Sequence, residues 1–137
     1  KYYEPDLQLK FINNLLKLAN TSIDISDGLI DDLKKMINRQ SVSFHIFEKN
    51  IPISNTLSQL IEIKKLRKID ITSRGDDYQI LFTANPIKSR IIKRISNNTG
   101  VKITKIGKII SGKNKSKIIN IKNKQIEAKN KGYIHQF

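Results

Sequence analysis

The hydrophobic pattern of the stretch TSIDISDGL changes its period within a few residues, and this change limits the folds open to the chain. Residues 22–26 alternate between the two faces of a strand, with Ile23 and Ile25 on one side and Asp24 and Ser26 on the other. The residues that follow are apolar at every third or fourth position, which predicts a helix. A strand that leads directly into a helix is typical of folds in which helices pack on a sheet.

The helix is predicted over residues 28–39. Its apolar face is formed by Leu29, Leu33, Met36 and Ile37. Asp27 stands immediately before the helix, and aspartate is among the preferred N-cap residues because its carboxylate accepts hydrogen bonds from the first free N–H groups. We therefore expect Asp27 to cap the helix.

Three oxygen-bearing side chains, those of Asp24, Ser26 and Asp27, stand at the carboxyl end of the predicted strand. Ligand sites of α/β sheets favour that edge, and Mg²⁺ is usually held by one or two carboxylates together with substrate phosphates. A helix start also offers free N–H groups to an anion. Two interpretations are open: a metal and phosphate site, or an Asp27 that only caps the helix beside an Asp24 that only faces solvent.

The remaining pattern also interleaves helices and strands. Further helices are predicted over residues 5–19, over residues 56–66, and from Pro86 to the stop NNTG at 97–100. Further strands are predicted over residues 42–47, 78–84, 101–111 and 116–121, with a short one over 69–72. The last two long strands are joined by the turn SGKNK, and residues 122–137 read as irregular. We predict one domain, residues 1–137, of the α/β (α+β) class, a mixed sheet with helices packed on it.

Several classes of site are excluded by composition. The chain has no cysteine, which removes disulfides, thiolate zinc sites and cysteine nucleophiles and is compatible with a reducing cytosol. His45 and His135 are isolated, and the usual glycine-rich phosphate loops are absent. No apolar run reaches the roughly 18–20 residues of a membrane helix. We expect a cytoplasmic protein that does not enter a membrane.

The positive charge is concentrated in the second part of the chain. Of a net charge of +14, residues 86–137 carry +13, with Glu127 as their one acidic residue. A nucleic-acid-binding module that uses residues 86–137 is therefore one alternative function. However, lysine outnumbers arginine 21 to 5, whereas readers of nucleic acid favour arginine for bidentate contacts. A/T-rich codons would also produce many lysines, so specific binding of nucleic acid is not favoured.

Two further stretches contain candidate functional residues. RGDDYQILF places Asp76 and Asp77 side by side in a turn before a strand, and the terminal GYIHQF contains Tyr133 beside other aromatic and polar residues. Each has a simpler interpretation: a solvated turn for the first, and a chain end that docks on the core for the second. The chain also begins at Lys1 and has its one methionine at Met36, so we expect a piece of a longer protein.

Taken in order, four stretches resemble the C-terminal domain of the thiamine-monophosphate kinase family, in the aminoimidazole ribonucleotide synthetase-like superfamily. They are IDISDGLIDDL at 23–33, IPIS at 51–54, SRGDDYQILFT at 73–83, and the closing GYIHQF. The resemblance implies a kinase that uses Mg²⁺ to move the γ-phosphoryl group of ATP onto thiamine monophosphate, giving thiamine diphosphate.

By position, the resemblance implies that Asp24 and Asp27 bind Mg²⁺ and that Ser26 contacts ATP. It implies that Asp76, which replaces the family's glutamate, binds substrate, and that Tyr133 lies against the thiamine part. It implies no catalytic nucleophile or general base, because the acceptor is already an anionic phosphate oxygen.

Two departures from the family pattern affect the expected activity. The family's N-terminal domain is not in this chain, so we expect the chain to be inactive without it. The usual run Gly-Gly-Glu-Asp reads Arg74-Gly75-Asp76-Asp77 here. An inactive gene remnant is therefore a second alternative function.

Overall fold

The computed structural model describes residues 9–73 and 79–127. Its helices are α1 (Leu9–Leu18), α2 (Leu29–Met36), α3 (Asn55–Lys64), α4 (Lys68–Thr72) and α5 (Ser89–Thr99). Its strands are β1 (Ala19–Asp24), β2 (Val42–Phe47), β3 (Ile80–Ala84), β4 (Gly107–Ser111), β5 (Lys117–Ile119) and β6 (Gln125–Ile126). Short 3₁₀ turns cover Glu48–Asn50 and Pro86–Lys88.

The strands form two sheets in the described part of the chain. In one, β1 and β3 pair antiparallel, with Asp24 opposite Ile80. The other has the order β4-β2-β5-β6, in which β2 runs antiparallel to β4 and parallel to β5. This sheet is mixed and helices accompany it, so the predicted fold class is confirmed.

The hydrophobic core lies between α2 and the strands. Four apolar residues of α2 are buried, and Phe44 and Ile46 of β2 face them as part of one cluster. The other members of the cluster are Ile25, Ile51, Ile69, Leu81 and Ile118. Because the core joins α2 to both sheets, it fixes the position of the loop between β1 and α2.

The turn SGKNK joins two strands that do not pair with each other, since β2 lies between them. The loop therefore passes over the start of β2, where the buried Ser43 holds it. The Ser43 hydroxyl donates to the carbonyl oxygen of Gly112 over 2.6 Å and accepts from the N–H of Lys115 over 3.0 Å. Hydrophobic pattern and turn chemistry predicted the strands but not this crossing.

The strand predicted over residues 69–72 is wrong, because these residues form α4. Ile69 is fully buried and its N–H donates to the Glu48 carboxylate over 3.2 Å. Arg67 makes two hydrogen bonds to Asp70, of 2.6 and 2.7 Å, one turn apart. These contacts outweigh the strand preference of β-branched residues, which depends strongly on context.

Most of the other predicted boundaries are close to the observed ones, but the strand predicted over residues 101–111 forms only over Gly107–Ser111. The strand predicted over 22–26 begins earlier, at Ala19, because Ala19 pairs with Ala84 of β3. The predicted stop after α5 is confirmed, since Gly100 adopts the left-handed conformation at φ 70°. Residues 122–127, read as irregular, contain the short strand β6. No helix in the described ranges is long and apolar enough to cross a membrane.

Candidate functional site

Asp24 and Ser26 lie on the exposed side of the chain where β1 ends. The burial pattern alternates through this strand, so Ile23 and Ile25 point toward the core while Asp24 and Ser26 face solvent. The alternation predicted from the sequence is therefore observed. The two polar side chains are accessible to a ligand at the sheet edge.

Gly28 brings this edge against Ser73, the residue just before the stretch RGDDYQILF. Its φ of 117° is a conformation that side-chain-bearing residues rarely adopt, and a Cβ atom there would lie 2.5 Å from the carbonyl oxygen of Ser73. Three residues before it, the N–H of Ile25 donates to the carbonyl oxygen of Gln79 over 2.9 Å. The described residues on either side of 74–78 thus both lie against the stretch 25–28.

Asp32 organises the loop that leads into α2. Its carboxylate oxygen Oδ2 accepts from the N–H of Ser26 and of Asp27 over 2.9 Å each, and from that of Gly28 over 3.2 Å. The side chain is only 1% exposed. A single buried carboxylate therefore binds three successive backbone N–H groups and fixes the shape of the loop.

The prediction that Asp27 caps α2 is wrong. The residue at the cap position is Gly28, which has no side chain with which to cap the helix. The Asp27 carboxylate instead contacts the ammonium group of Lys35, which also lies 2.8 Å from Oδ1 of Asp32. The N–H groups of Ser26, Asp27 and Gly28, just before the helix, are bound to Asp32 and are therefore not available to an anion.

The pKa values of Asp32 and Lys35 reflect this arrangement. Burial opposes ionisation of Asp32, but hydrogen bonds from Lys35 and from the N–H groups of Asp27 and Ser26 outweigh it and hold the pKa of Asp32 below its usual range. The hydrogen bonds to Asp27 and Asp32 raise the pKa of Lys35 above its usual range. Both groups are therefore charged at neutral pH.

The low pKa of Asp32 predicts a contribution to stability that is lost in acid. An aspartate in an unfolded chain has a pKa of about 3.9. The contribution of ionised Asp32 is therefore complete above about pH 4 and is lost as the pH falls through the lower folded value. We expect the free energy of unfolding of the wild type to fall more steeply below pH 4 than that of Asp32→Asn, measured by urea denaturation at several pH values. Equal slopes of the free energy of unfolding against pH in the wild type and Asp32→Asn would contradict the lowered pKa of Asp32. Asp31→Asn is the control and should keep the wild-type slope.

Sequence reasoning missed both Asp32 and Lys35. The signal was present, because Asp32 falls within the apolar stripe that contains Leu29, Leu33 and Met36. A charged residue on a core-facing stripe needs a partner, and here the partners are local. Lys35, one turn further along α2, is on the same side of the helix.

The donor set at this edge is small. Within residues 9–73 and 79–127, no three histidine, cysteine, aspartate or glutamate side chains come together as a metal cluster. Two carboxylates, Asp24 and Asp27, with the hydroxyl of Ser26, suit an Mg²⁺ that takes its remaining ligands from phosphates and water. The Asp27 carboxylate is at present paired with the ammonium group of Lys35. Asp76 and Tyr133 lie outside the described residues.

A separate open cavity of about 540 Å³ lies where α2 ends and β2 begins. Its lining includes the cationic residues Lys34, Arg39 and Lys113 and contains none of the predicted site residues. The predicted site is instead on the exposed edge at the other end of α2.

Comparison with known proteins gives a consistent result. No protein-family model matches the chain. The thiamine-monophosphate kinase of Aquifex aeolicus is 33% identical over 84 residues, which cover 61% of this chain and 28% of that protein. The thiamine-monophosphate kinase of Buchnera aphidicola subsp. Schizaphis graminum is 33% identical over 124 residues, which cover 88% of this chain and 37% of that protein. The chain belongs to the thiamine-monophosphate kinase family.

A solved structure of a thiamine-monophosphate kinase agrees with this assignment. The structure of AaThiL complexed with AMPPCP and TMP has a TM-score of 0.68 and 28% sequence identity to this chain. The match covers 96% of this chain and 38% of that one. The resemblance inferred from four short stretches is therefore confirmed. The matched part of the chain spans less than two fifths of the length of each of these relatives.

Proposed function

We propose that the chain is the C-terminal part of a kinase that phosphorylates thiamine monophosphate to thiamine diphosphate, with ATP as the phosphoryl donor. The observation that carries this proposal is the fold match, over 96% of the chain, to a structure complexed with AMPPCP and TMP. AMPPCP is an analogue of ATP. The mixed sheet and the loop between β1 and α2 then provide the frame on which the substrates are placed.

In this proposal Asp24 and Asp27 hold Mg²⁺ and Ser26 contacts ATP. Support comes from the exposure of Asp24 and Ser26 at the sheet edge and from the cation already beside Asp27. When bound, Mg²⁺ supplies positive charge that neutralises the phosphate oxygens. The loop contributes rigidity, because Asp32 fixes its backbone through three N–H groups.

The second motif supplies the substrate side in this proposal. Asp76 binds substrate in this proposal. Support comes from its place in the sequence between Ser73, which lies against Gly28, and Gln79, whose carbonyl oxygen accepts from the N–H of Ile25. The role of Tyr133 against the thiamine part rests on the family resemblance of GYIHQF. Transfer from ATP to an acceptor that is already an anionic phosphate requires positioning and charge neutralisation rather than a base.

The proposal includes a partner, the N-terminal part of a kinase of this family. More than three fifths of the length of each relative compared lies outside the part that this chain matches. We expect the chain to be active only with that part.

A reconstitution experiment tests the proposed function. The chain is mixed with the N-terminal part of a related kinase, ATP, Mg²⁺ and thiamine monophosphate, and thiamine diphosphate is measured. We expect product from the mixture, none from either part alone, and a decrease in kcat/KM of about a hundredfold or more for Asp24→Asn. Asp31→Asn, a matched change on the surface of α2, should keep most of the activity.

Two outcomes would contradict the proposal. A folded complex of the two parts that forms no thiamine diphosphate would favour the inactive remnant. Full activity of Asp24→Asn would contradict the metal assignment while leaving the kinase activity standing.

A further inference from the structure

The contacts of Lys35 point to a role for this residue that the proposed function does not include. Its ammonium group contacts two carboxylates at once: that of Asp27, a proposed metal ligand, and Oδ1 of Asp32 at 2.8 Å. The Lys35 side chain is 50% exposed, and those of Asp27 and Asp32 are 25% and 1% exposed. The cation thus sits between one accessible carboxylate and one inaccessible carboxylate.

The two carboxylates differ in their freedom to exchange partners. Asp32 uses Oδ2 for three backbone N–H groups and Oδ1 for Lys35, so both of its oxygens are engaged and it cannot turn without breaking the loop. Asp27 has no such backbone role, because its carboxylate contacts Lys35 at the surface. An incoming divalent cation can therefore compete for Asp27 but not for Asp32.

The local charge favours such an exchange. Although the whole chain carries +14, the residues from Asp24 to Lys35 contain four aspartates and two lysines, a net charge of −2. Lys34 pairs with Asp31 over 2.8 Å, which leaves Lys35 to offset three carboxylates. One ammonium leaves a net charge of −2 on these carboxylates, and a divalent cation together with Lys35 neutralises them. Mg²⁺ has to displace Lys35 only from Asp27, because Lys35 keeps its ion pair with Asp32.

We propose that Lys35 is a positioning residue whose ammonium group neutralises the Asp27 carboxylate until Mg²⁺ binds. When Asp27 binds the metal, the ammonium group keeps its ion pair with Asp32. This inference rests on the proposed metal role of Asp27. It adds two residues, Lys35 and Asp32, that set the metal affinity without touching the metal. In the absence of metal, Lys35 holds the Asp27 carboxylate in place, and it competes with Mg²⁺ for the same carboxylate.

Metal titration of the chain alone tests the inference with a readout other than activity. Binding of Mn²⁺, and of Mg²⁺ in competition with it, is measured for the wild type, Lys35→Gln, and the control Lys34→Gln, which removes the same charge one residue away. We expect Lys35→Gln to bind about threefold to tenfold more tightly than wild type and Lys34→Gln to change by less than about twofold. Asp32→Asn should bind about threefold to tenfold more weakly, because Lys35 then pairs with Asp27 alone.

The direction in which Lys35→Gln changes the metal affinity decides whether Lys35 competes with the metal for Asp27. A purely structural role for Lys35 predicts weaker or unchanged metal binding in that variant, and either result would overturn the inference. Absence of saturable binding in both wild type and Lys35→Gln would overturn the proposed metal site as well. Wild-type binding that Asp24→Asn removes, without a gain in Lys35→Gln, would leave the site standing and reject only the role of Lys35.

A second measurement avoids any dependence on folding of the variants. In the wild type, the NMR signal of the Lys35 ammonium group should shift when Mg²⁺ is added, and that of Lys34 should not. Equal shifts of the two signals would mean a general response to salt. They would overturn the proposal that Mg²⁺ replaces Lys35 at Asp27.

Discussion

Gly28→Ala should lower the free energy of unfolding by about 3–5 kcal/mol. Two costs combine at this position. With φ at 117° and ψ at 150°, the backbone is in a region that essentially only glycine populates. The added Cβ would also lie 2.5 Å from the carbonyl oxygen and 2.6 Å from the carbonyl carbon of Ser73, and backbone atoms cannot give way cheaply.

Gly100→Ala is the matched control for this change. Gly100 also has a positive φ, of 70°, but a Cβ there meets nothing within 4 Å. Its replacement should cost about 1 kcal/mol, the conformational term alone. Urea denaturation followed by circular dichroism measures both variants. Similar losses for the two glycines would show that Ser73 does not press against Gly28.

The Gly28 variant also bears on function. Relief of the clash must move either the loop that carries Ser26 and Asp27, the residues proposed to bind ATP and Mg²⁺, or the backbone at Ser73. In the reconstituted kinase, we expect Gly28→Ala to raise KM for thiamine monophosphate, whereas Gly100→Ala should leave it unchanged. The loss of stability and the loss of substrate affinity have the same origin.

Asp32→Ala should lower the free energy of unfolding by about 3 kcal/mol or more. The change removes the acceptor of three N–H groups, those of Ser26, Asp27 and Gly28, and the last of these hydrogen bonds is buried. It also removes one of the two anions that flank Lys35. Unsatisfied donors in a buried site cost more than the hydrogen bonds contribute when present.

The neighbouring Asp31→Ala is the control for Asp32→Ala. Asp31 is more exposed and forms a surface ion pair with Lys34, and such pairs contribute about 0–1 kcal/mol. In hydrogen exchange, the amides of Ser26, Asp27 and Gly28 should lose protection in Asp32→Ala only. Loss of protection in both variants, or in neither, would contradict the role of Asp32 in shaping the loop.

Local patterns in the sequence predicted most elements of the fold. The alternation through Ile23 and Ile25, the periodic stripe of α2 and the stop at Gly100 all depend on residues near one another in the chain, and all are observed. These features follow from side-chain direction and backbone preference alone. The edge at which the proposed metal ligands lie was predictable for the same reason.

Features set by distant contacts were not predictable in this way. The segment 69–72 reads as a strand, but its helix depends on Glu48, which lies 21 residues before Ile69 and binds its N–H. The loop that crosses β2 depends on Ser43, which is 69 residues from Gly112. No local pattern carries information about such partners.

The assignment of the cap to Asp27 failed for a different reason. Both Asp27 and Asp32 are near the start of α2, and the standard rule favours the residue just before the helix. The structure uses the later aspartate instead, because Asp32 lies on the core-facing stripe and can reach three N–H groups of the loop while it is buried. Asp27 is left free of the backbone and faces Lys35 at the surface.

We propose that Mg²⁺ and ATP bind at the edge formed by Asp24, Ser26 and Asp27. An NMR titration of the chain with AMPPCP and Mg²⁺ tests this most directly, through the backbone amide shifts of every assigned residue. We predict that the largest shifts fall within residues 24–28 and at Ser73, and that Asp24→Asn removes them. Shifts confined to the basic residues of α5 and the strands after it, or no saturable shift at all, would contradict the claim.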